Sequence, residues 1–456
     1  MSPTPTWPKS NRRKGLAMAN SIIPDGQLAA LHSALDKIRV MPAYQTGKWF
    51  VGPLNCAPEV RGAMNLPARV EICDVTLREA SQAYFGEREY LALARALDEA
   101  GVTVIQFLAP KSADESGQAT KVLRQLSKMK LRAKLQLYGV SSQSQMDLAR
   151  DHGVEIISYT IFPLPEWQPI YAASRKDADF SNAAASLAAP DSEAKLMDHV
   201  EQTATAIKKR GMQARPIANF FSLASVDFLR NLARTCERVG VYALNFVDAA
   251  GSMGPAACRY VIGEAKKAAP GLTIGMHTHN DLGLATANAL AGVEAGAAQV
   301  DVTINGVGAR AGNATMAEVV VALESLYGVA TGIDLSKLTG LSKLFEELSG
   351  WPTPKDKALV GDYAFTDASD THSFLMQADP LLFAPVTPQS VGNQRRSHLD
   401  LKSGVNTLRM RLKEIGLEVS EERLPQLWQR IQKELEHKRR ALTDAEIRDC
   451  VSVAQT

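Results

Sequence analysis

Between about Val70 and Gly328 two kinds of run alternate along the chain. One kind is short and apolar at most positions: VEICDVTL, VTVIQFLAP, LRAKLQLYGV, VEIISYTIF, MQARPIANFF, VYALNFVDAAG, LTIGMHTHN and AQVDVTING. Such runs suit strands buried on both faces, as in a parallel sheet. The other kind is longer, with apolar residues three and four apart: EREYLALARALDEAG, EAKLMDHVEQTATAIKKRG, VDFLRNLARTCERVG, GPAACRYVIGEAKKAAP and ATMAEVVVALESLYG. That spacing predicts helices with one apolar face, and several stop at Gly or Pro. Eight strand–helix pairs in sequence predict an α/β fold, a (β/α)8 TIM barrel. An open doubly wound sheet is the competing arrangement, and unbroken alternation favours closure.

The pattern changes on either side of the barrel. Residues 1–65 read as an N-terminal extension, in which WFVGPLNCAPEV looks ordered but irregular. The barrel is expected over 66–330, a linker subdomain over 331–395 and a mainly helical C-terminal region over 396–456. Within the linker, IDLSKLTGLSKLFEELSG reads as a helix and the stretch after it is rich in Pro, Asp and Gly. From KSGVNTLRMRLKEIGL onward two or three amphipathic helices follow, suited to a helical domain or a dimer arm.

Composition narrows the partners. The 456 residues are 45% hydrophobic and 22% charged, with 51 Lys plus Arg against 49 Asp plus Glu. A net charge of +2 gives no ground for expecting nucleic acid or an anionic membrane surface. The five cysteines are scattered, with no C-x-x-C pair, which fits a reducing compartment and a cytoplasmic location. No apolar run approaches the roughly 20 residues of a membrane helix. The opening MSPTPTWPKSNRRKGLAMAN has basic residues but no apolar region after them, and reads as a flexible tail. Its lack of acidic residues leaves a transit peptide open.

Chemistry is expected where the strands end, at the C-terminal mouth of the barrel. The seventh strand ends in His277 and His279, two positions apart and so on one face. Two such imidazoles suit a divalent metal; a polar strand end with solvated histidines is the plainer alternative. The first strand runs into DVTLREASQ, with Asp74, Arg78, Glu79 and Gln82, and the eighth into NGVGARAGN, with Asn305, Arg310 and Asn313. In a closed barrel strands one, seven and eight are neighbours, so a carboxylate, two imidazoles and an amide oxygen can converge. Mixed N and O donors suit Mg²⁺, Mn²⁺ or Zn²⁺. A metal there would polarise a substrate carbonyl, with Arg78 beside it to stabilise a developing oxyanion. The aromatic stretch YTIFPLPEWQPIY (159–171) suits a substrate mouth or a packed loop.

DVTLREASQ together with HTHNDLGLATANALAGVEAGAAQVDVTINGVGARAGN resembles the metal-dependent Claisen-condensing enzymes of the DRE-TIM metallolyase family. That family includes 2-isopropylmalate, homocitrate and citramalate synthases, with hydroxymethylglutaryl-CoA lyase as a more distant member. The resemblance spans roughly residues 68 to 415 and includes VGDYAFTDASDTHSFLMQADPLLFAPVTPQSVGNQ after the barrel. It implies Glu79, His277, His279 and Asn313 as metal contacts. Arg78 takes the place of an arginine touching the 2-oxo acid carbonyl, and Gln82 and Asp248 fall on substrate contacts. His372 takes the place of a catalytic histidine that assists proton transfer as the acetyl-CoA methyl attacks, typically from the neighbouring subunit, and an imidazole suits that relay. The partners implied are acetyl-CoA and a 2-oxo acid, in a homodimer.

The chain also departs from the family pattern. Gln106 and Asn219 stand where glutamates are usual, Ala249 where Thr is usual, Ala309 where Glu is usual and Phe383 where Tyr is usual. Val140 stands at about the place where homocitrate synthases offer an arginine to the far carboxylate of 2-oxoglutarate. A carboxylate left unpaired there is costly, so an apolar or unusual 2-oxo acid is expected. The product would be a 2-alkylmalate-type hydroxy diacid and CoA. A metal-dependent lyase or aldolase and a diverged non-catalytic homologue are the alternative readings.

Overall fold

The computed structural model describes residues 25–80, 83–110, 117–140, 142–162, 192–400 and 402–453. Eight parallel strands close into a barrel. They are β1 (Glu71–Asp74), β2 (Val104–Leu108), β3 (Lys134–Tyr138), β4 (Ile156–Ile161), β5 (Gln213–Asn219), β6 (Leu244–Asp248), β7 (Ile274–Thr278) and β8 (Gln299–Val302). Closure is made by β8, which pairs with β7 on one side and β1 on the other. All eight expected strands are present, because each apolar run is buried on both faces.

The helices outside the barrel are α1 (Glu87–Glu99), α2 (Gln118–Lys128), α3 (Gln143–Asp151), α4 (Glu193–Lys208), α5 (Val226–Val239), α6 (Pro255–Ala268), α7 (Ala285–Glu294) and α8 (Met316–Tyr327). Their ends follow local chemistry. The hydroxyls of Ser142, Ser192 and Ser225 accept from backbone N–H groups in the first turns of α3, α4 and α5. Gly240 and Gly328 end α5 and α8 in the left-handed conformation that glycine tolerates.

The interior of the barrel is unusually polar. Barrels of this type are commonly filled by branched apolar side chains. Here Gln136, Ser158, Arg215, Asn245, Gln299 and Asp301 are all buried. They bond to one another across the interior: Arg215 Nε donates to Gln299 Oε1 at 3.1 Å, and Gln299 Nε2 donates to Glu71 Oε2 at 2.7 Å, while Arg215 Nη1 and Asn245 Oδ1 are buried with no partner among the described residues. Gln136 donates to Ser158 Oγ.

After the barrel, α9 (Leu338–Ser349) packs on α1, with Phe345 edge-on to Phe85 at 5.9 Å. Helix α10 (Asp370–Ala378) follows, capped by Ser369. The segment before the barrel grips this region. Arg39 and Tyr44 both reach Asp379 Oδ2 at 3.0 Å, and Phe50 N donates to Pro385 O at 2.9 Å. Helices α11 (Val405–Glu414), α12 (Leu424–Lys438) and α13 (Asp444–Val453) share a separate apolar cluster that includes Leu408, Trp428, Ile431 and Ile447. Among the described residues no helix is long and apolar enough to cross a membrane.

Candidate metal centre

The end of β1 turns at once into a single helical turn, Thr76–Glu79. Asp74 sets that turn: its carboxylate accepts from Thr76 N and Thr76 Oγ1, each at 2.9 Å. Thr76 Oγ1 also accepts from Ile304 N at 2.9 Å, which ties the β1 loop to the β8 loop. Burial pushes the Asp74 carboxyl up to about 7, against the lowering effect of those hydrogen bonds. The turn places Arg78 and Glu79 at the barrel mouth.

There Glu79 meets both histidines. Ligand atoms of Glu79, His277 and His279 all lie within 4.8 Å of one another. Glu79 Oε1 is 3.8 Å from His277 Nε2. Each imidazole is held through its other nitrogen. His279 Nδ1 lies 2.9 Å from the Asp248 carbonyl oxygen, which can only accept, so Nδ1 carries the hydrogen. His277 Nδ1 lies 3.1 Å from Asp301 Oδ2 in the same way. Both Nε2 lone pairs are therefore left for a cation, an arrangement typical of metal-ligating histidines.

Asn313 completes the ring. Its Nδ2 donates to Val307 O at 2.9 Å, while Oδ1 is buried with no hydrogen-bond partner among the described residues. An orphaned buried carbonyl oxygen beside a carboxylate and two imidazoles fits a divalent cation. Glycine lets this loop close up. Gly308 has φ +149, and a Cβ there would stand 2.0 Å from Asn313 Nδ2.

The charges suit the same purpose. Burial works against the Glu79 charge, but Arg78 and then the two histidines outweigh it and hold the carboxyl below its ordinary range. Burial, with the neighbouring His277, pushes His279 down to about 4, so the ring is neutral at ordinary pH.

Arg78 stands beside the cluster. Its Nη1 pairs with Glu79 Oε1 at 2.6 Å, its Nε donates to Gln106 Oε1, and its guanidinium lies 4.1 Å over the Tyr138 ring. Gln106 Nε2 is buried with no partner among the described residues. Val140, just past β3, is packed into the apolar core. The Asp248 carboxylate is engaged by its own loop, accepting from Ser252 N at 3.2 Å and Met253 N at 2.9 Å, while its carbonyl holds His279. Arg310 pairs with Asp281 and donates to Ala249 O at 2.8 Å. Asn219 Oδ1 accepts from Phe220 N at 3.1 Å. Gln82 and most of the 159–171 stretch lie outside the described residues.

His372 sits apart, in the first turn of α10. Its Nδ1 is 2.9 Å from Asp367 Oδ2, and its ring stacks on Phe383 at 4.0 Å between centroids. Two groups with structural weight at the site are not among the residues singled out from the sequence: Asp301 and Arg215. The one signal for them is a charged residue inside an otherwise apolar strand run.

Fold and site together define a TIM-barrel protein with a donor cluster of metal-ligand type at its catalytic mouth. The chain belongs to the HMGL-like family, whose profile matches residues 69–345, and a homocitrate synthase post-HMGL domain-like profile matches residues 359–439. It is 33% identical to a 2-isopropylmalate synthase of Methanocaldococcus jannaschii, over 79% of this chain and 66% of the relative. It is 30% identical to the homocitrate synthase AksA of Methanopyrus kandleri, over 87% of this chain and 96% of the relative. It is 31% identical to a chain assigned as an (R)-citramalate synthase in Methanopyrus kandleri, over 84% of this chain and 72% of the relative. The chain thus falls in the acyltransferase group of isopropylmalate, citramalate and homocitrate synthases. The barrel itself superimposes on HMG-CoA lyase of Bacillus subtilis with a TM-score of 0.52 at 20% identity, covering 64% of this chain and 97% of the lyase.

Proposed function

We propose that the protein condenses acetyl-CoA with a 2-oxo acid, using a divalent cation held by Glu79, His277, His279 and Asn313. The observation that carries this reading is the buried Asn313 Oδ1, without a partner among the described residues, beside three donors whose free lone pairs converge. A cation bound there would act as a Lewis acid on the substrate carbonyl. Arg78, fixed by Glu79, Gln106 and Tyr138, is placed to bind and orient the oxo-acid group and to stabilise charge developing on its oxygen. Asp248 acts through its carbonyl as a positioning residue for His279. Asp367 holds Nδ1 of His372, which leaves Nε2 to take a proton from the acetyl methyl; since His372 sits apart from the cluster of its own chain, the imidazole that acts there would come from the second subunit of a homodimer. The methyl carbon then bonds to the carbonyl carbon as the C=O π pair moves onto oxygen, that oxygen takes up a proton to become the hydroxyl, and water cleaves the thioester to a carboxylate and free CoA.

The substrate is a 2-oxo acid other than 2-oxoglutarate. Among the described residues, Val140, Tyr138 and Gln106 offer no cation to a distal carboxylate, and leaving one unpaired in a buried site is costly. The test is release of CoA thiol from acetyl-CoA with 2-oxoisovalerate, pyruvate, oxaloacetate, 2-oxoglutarate, phenylpyruvate and phosphonopyruvate, each with Mg²⁺, Mn²⁺ or Zn²⁺ and with chelator. Release that needs metal and one acid other than 2-oxoglutarate is expected. Turnover of 2-oxoglutarate alone would overturn the substrate reading, and no release with any acid would overturn the reaction.

A further inference from the structure

The polar interior of the barrel has a direction. Asp301, on β8, accepts three hydrogen bonds below the mouth: from Arg215 Nη2 at 2.6 Å on Oδ1, and from Asn245 Nδ2 at 2.9 Å and His277 Nδ1 at 3.1 Å on Oδ2. Arg215 comes from β5 and Asn245 from β6, so the bonds span the interior. Arg215 and Asp301 are both almost wholly buried, with side chains 1% exposed. Burying such a pair costs much of what its attraction returns, so an ion pair is a poor way to stabilise a barrel core. The surrounding backbone also makes room for it. Gly275 lies two positions before His277, and a Cβ there would stand 2.6 Å from Asn245 Oδ1 and 3.1 Å from Arg215 Nη2. What the pair reaches is the one ring nitrogen of His277 that does not face Glu79.

We infer that Arg215 and Asp301 are positioning residues for the cation site: Arg215 and Asn245 lock the Asp301 carboxylate, and the carboxylate locks the ring of His277 with Nε2 aimed at Glu79. This rests on the reading of Glu79, His277 and His279 as ligands. Nothing in this arrangement touches substrate, so its effect falls on cation affinity.

The experiment is Mn²⁺ binding to the full chain, followed by the electron paramagnetic resonance of the free ion, with a thermal melt of each variant to show folding. Asp301→Asn keeps the shape and removes the charge; Arg215→Met removes the lock, and Arg215→Lys returns a cation. Asp301→Asn and Arg215→Met are each expected to weaken Mn²⁺ binding about 10- to 100-fold, the range found when an outer partner of a ligating histidine is lost. The double variant is expected to be no weaker than the worse single, since both act through one carboxylate. Arg215→Lys is expected to recover part of the loss. Folded variants that bind Mn²⁺ as tightly as the parent, even with a lowered melting temperature, would overturn the inference and leave the pair structural. Should Arg215→Met fail to fold, the near-isosteric Asp301→Asn decides. His279→Ala separates the two levels: a parent that binds Mn²⁺ no better than this variant overturns the ligand reading and the inference with it.

Discussion

A histidine is a ligand only while neutral, and His279 is kept neutral by burial down to about pH 4. The same burial has a cost in the metal-free protein. Unfolded, the ring takes a proton near its ordinary 6.5, so between about 4 and 6.5 the unfolded chain binds more protons and stability rises with pH. Asp74 runs the other way. Its folded carboxyl keeps a proton to about 7 against an ordinary 3.8, so its contribution is present at low pH and is lost as pH rises through that window. In the presence of chelator, the urea midpoint is predicted to rise more steeply from pH 4 to 6.5 in Asp74→Asn than in the parent, and less steeply in His279→Ala. Slopes equal to the parent's, or changed in the same direction in both variants, would contradict this assignment. Glu79→Gln removes the one carboxylate of the ligand cluster among the described residues. Its Mn²⁺ affinity and its CoA release are predicted to drop together by more than about 100-fold, beyond the effect of losing an outer partner.

At the scale of elements, the site depends on two loops. The β1 loop presents Arg78 and Glu79 on one helical turn, and the β8 loop folds back to bring Asn313 under them. That return needs glycine at Gly308. Gly308→Ala would strain a φ of +149 and force its Cβ to 2.0 Å from Asn313 Nδ2. Calorimetry is predicted to show Mn²⁺ binding weakened in this variant, whereas Ala309→Gly, one residue on, leaves it near the parent value. The strands and the pairing of the two histidines at the mouth were legible in the sequence for physical reasons. Both-face burial writes a strand as a continuous apolar run, and same-face spacing puts His277 and His279 together. Helix α7 is less legible, since small residues blur its apolar face, whereas α2 is short but carries a clear one in Val122, Leu123 and Leu126. Arg215 and Asp301 were not legible as a pair. They are 86 residues apart, and only barrel closure brings β5 opposite β8. The Asp248 carboxylate, expected at substrate, is taken by a loop whose hydrogen bonds no spacing rule predicts.

The whole molecule is a barrel with two additions of different dependence. The segment before the barrel clasps the region after it through Arg39, Tyr44 and Asp379, close to the elements that carry His372 and Phe383. Helices α11 to α13 have their own core, in which Ile431 is fully buried. Ile431→Ala is predicted to destabilise those helices by about 2–5 kcal/mol, the usual cost of emptying a buried isoleucine site. Mn²⁺ affinity of the barrel should be unchanged, read by melting and by metal titration of one sample.

The central claim is that the chain forms a carbon–carbon bond between an acetyl group and a 2-oxo acid at the Glu79–His277–His279 cluster. Acetyl-CoA carrying ¹³C at both acetyl carbons, incubated with Mn²⁺ and the 2-oxo acid panel, tests this by mass spectrometry of the products. The account predicts a hydroxy diacid heavier than the unlabelled product by both labelled carbons, absent with chelator and absent with His279→Ala. Label recovered only as free acetate, or a product formed equally by His279→Ala, would contradict it.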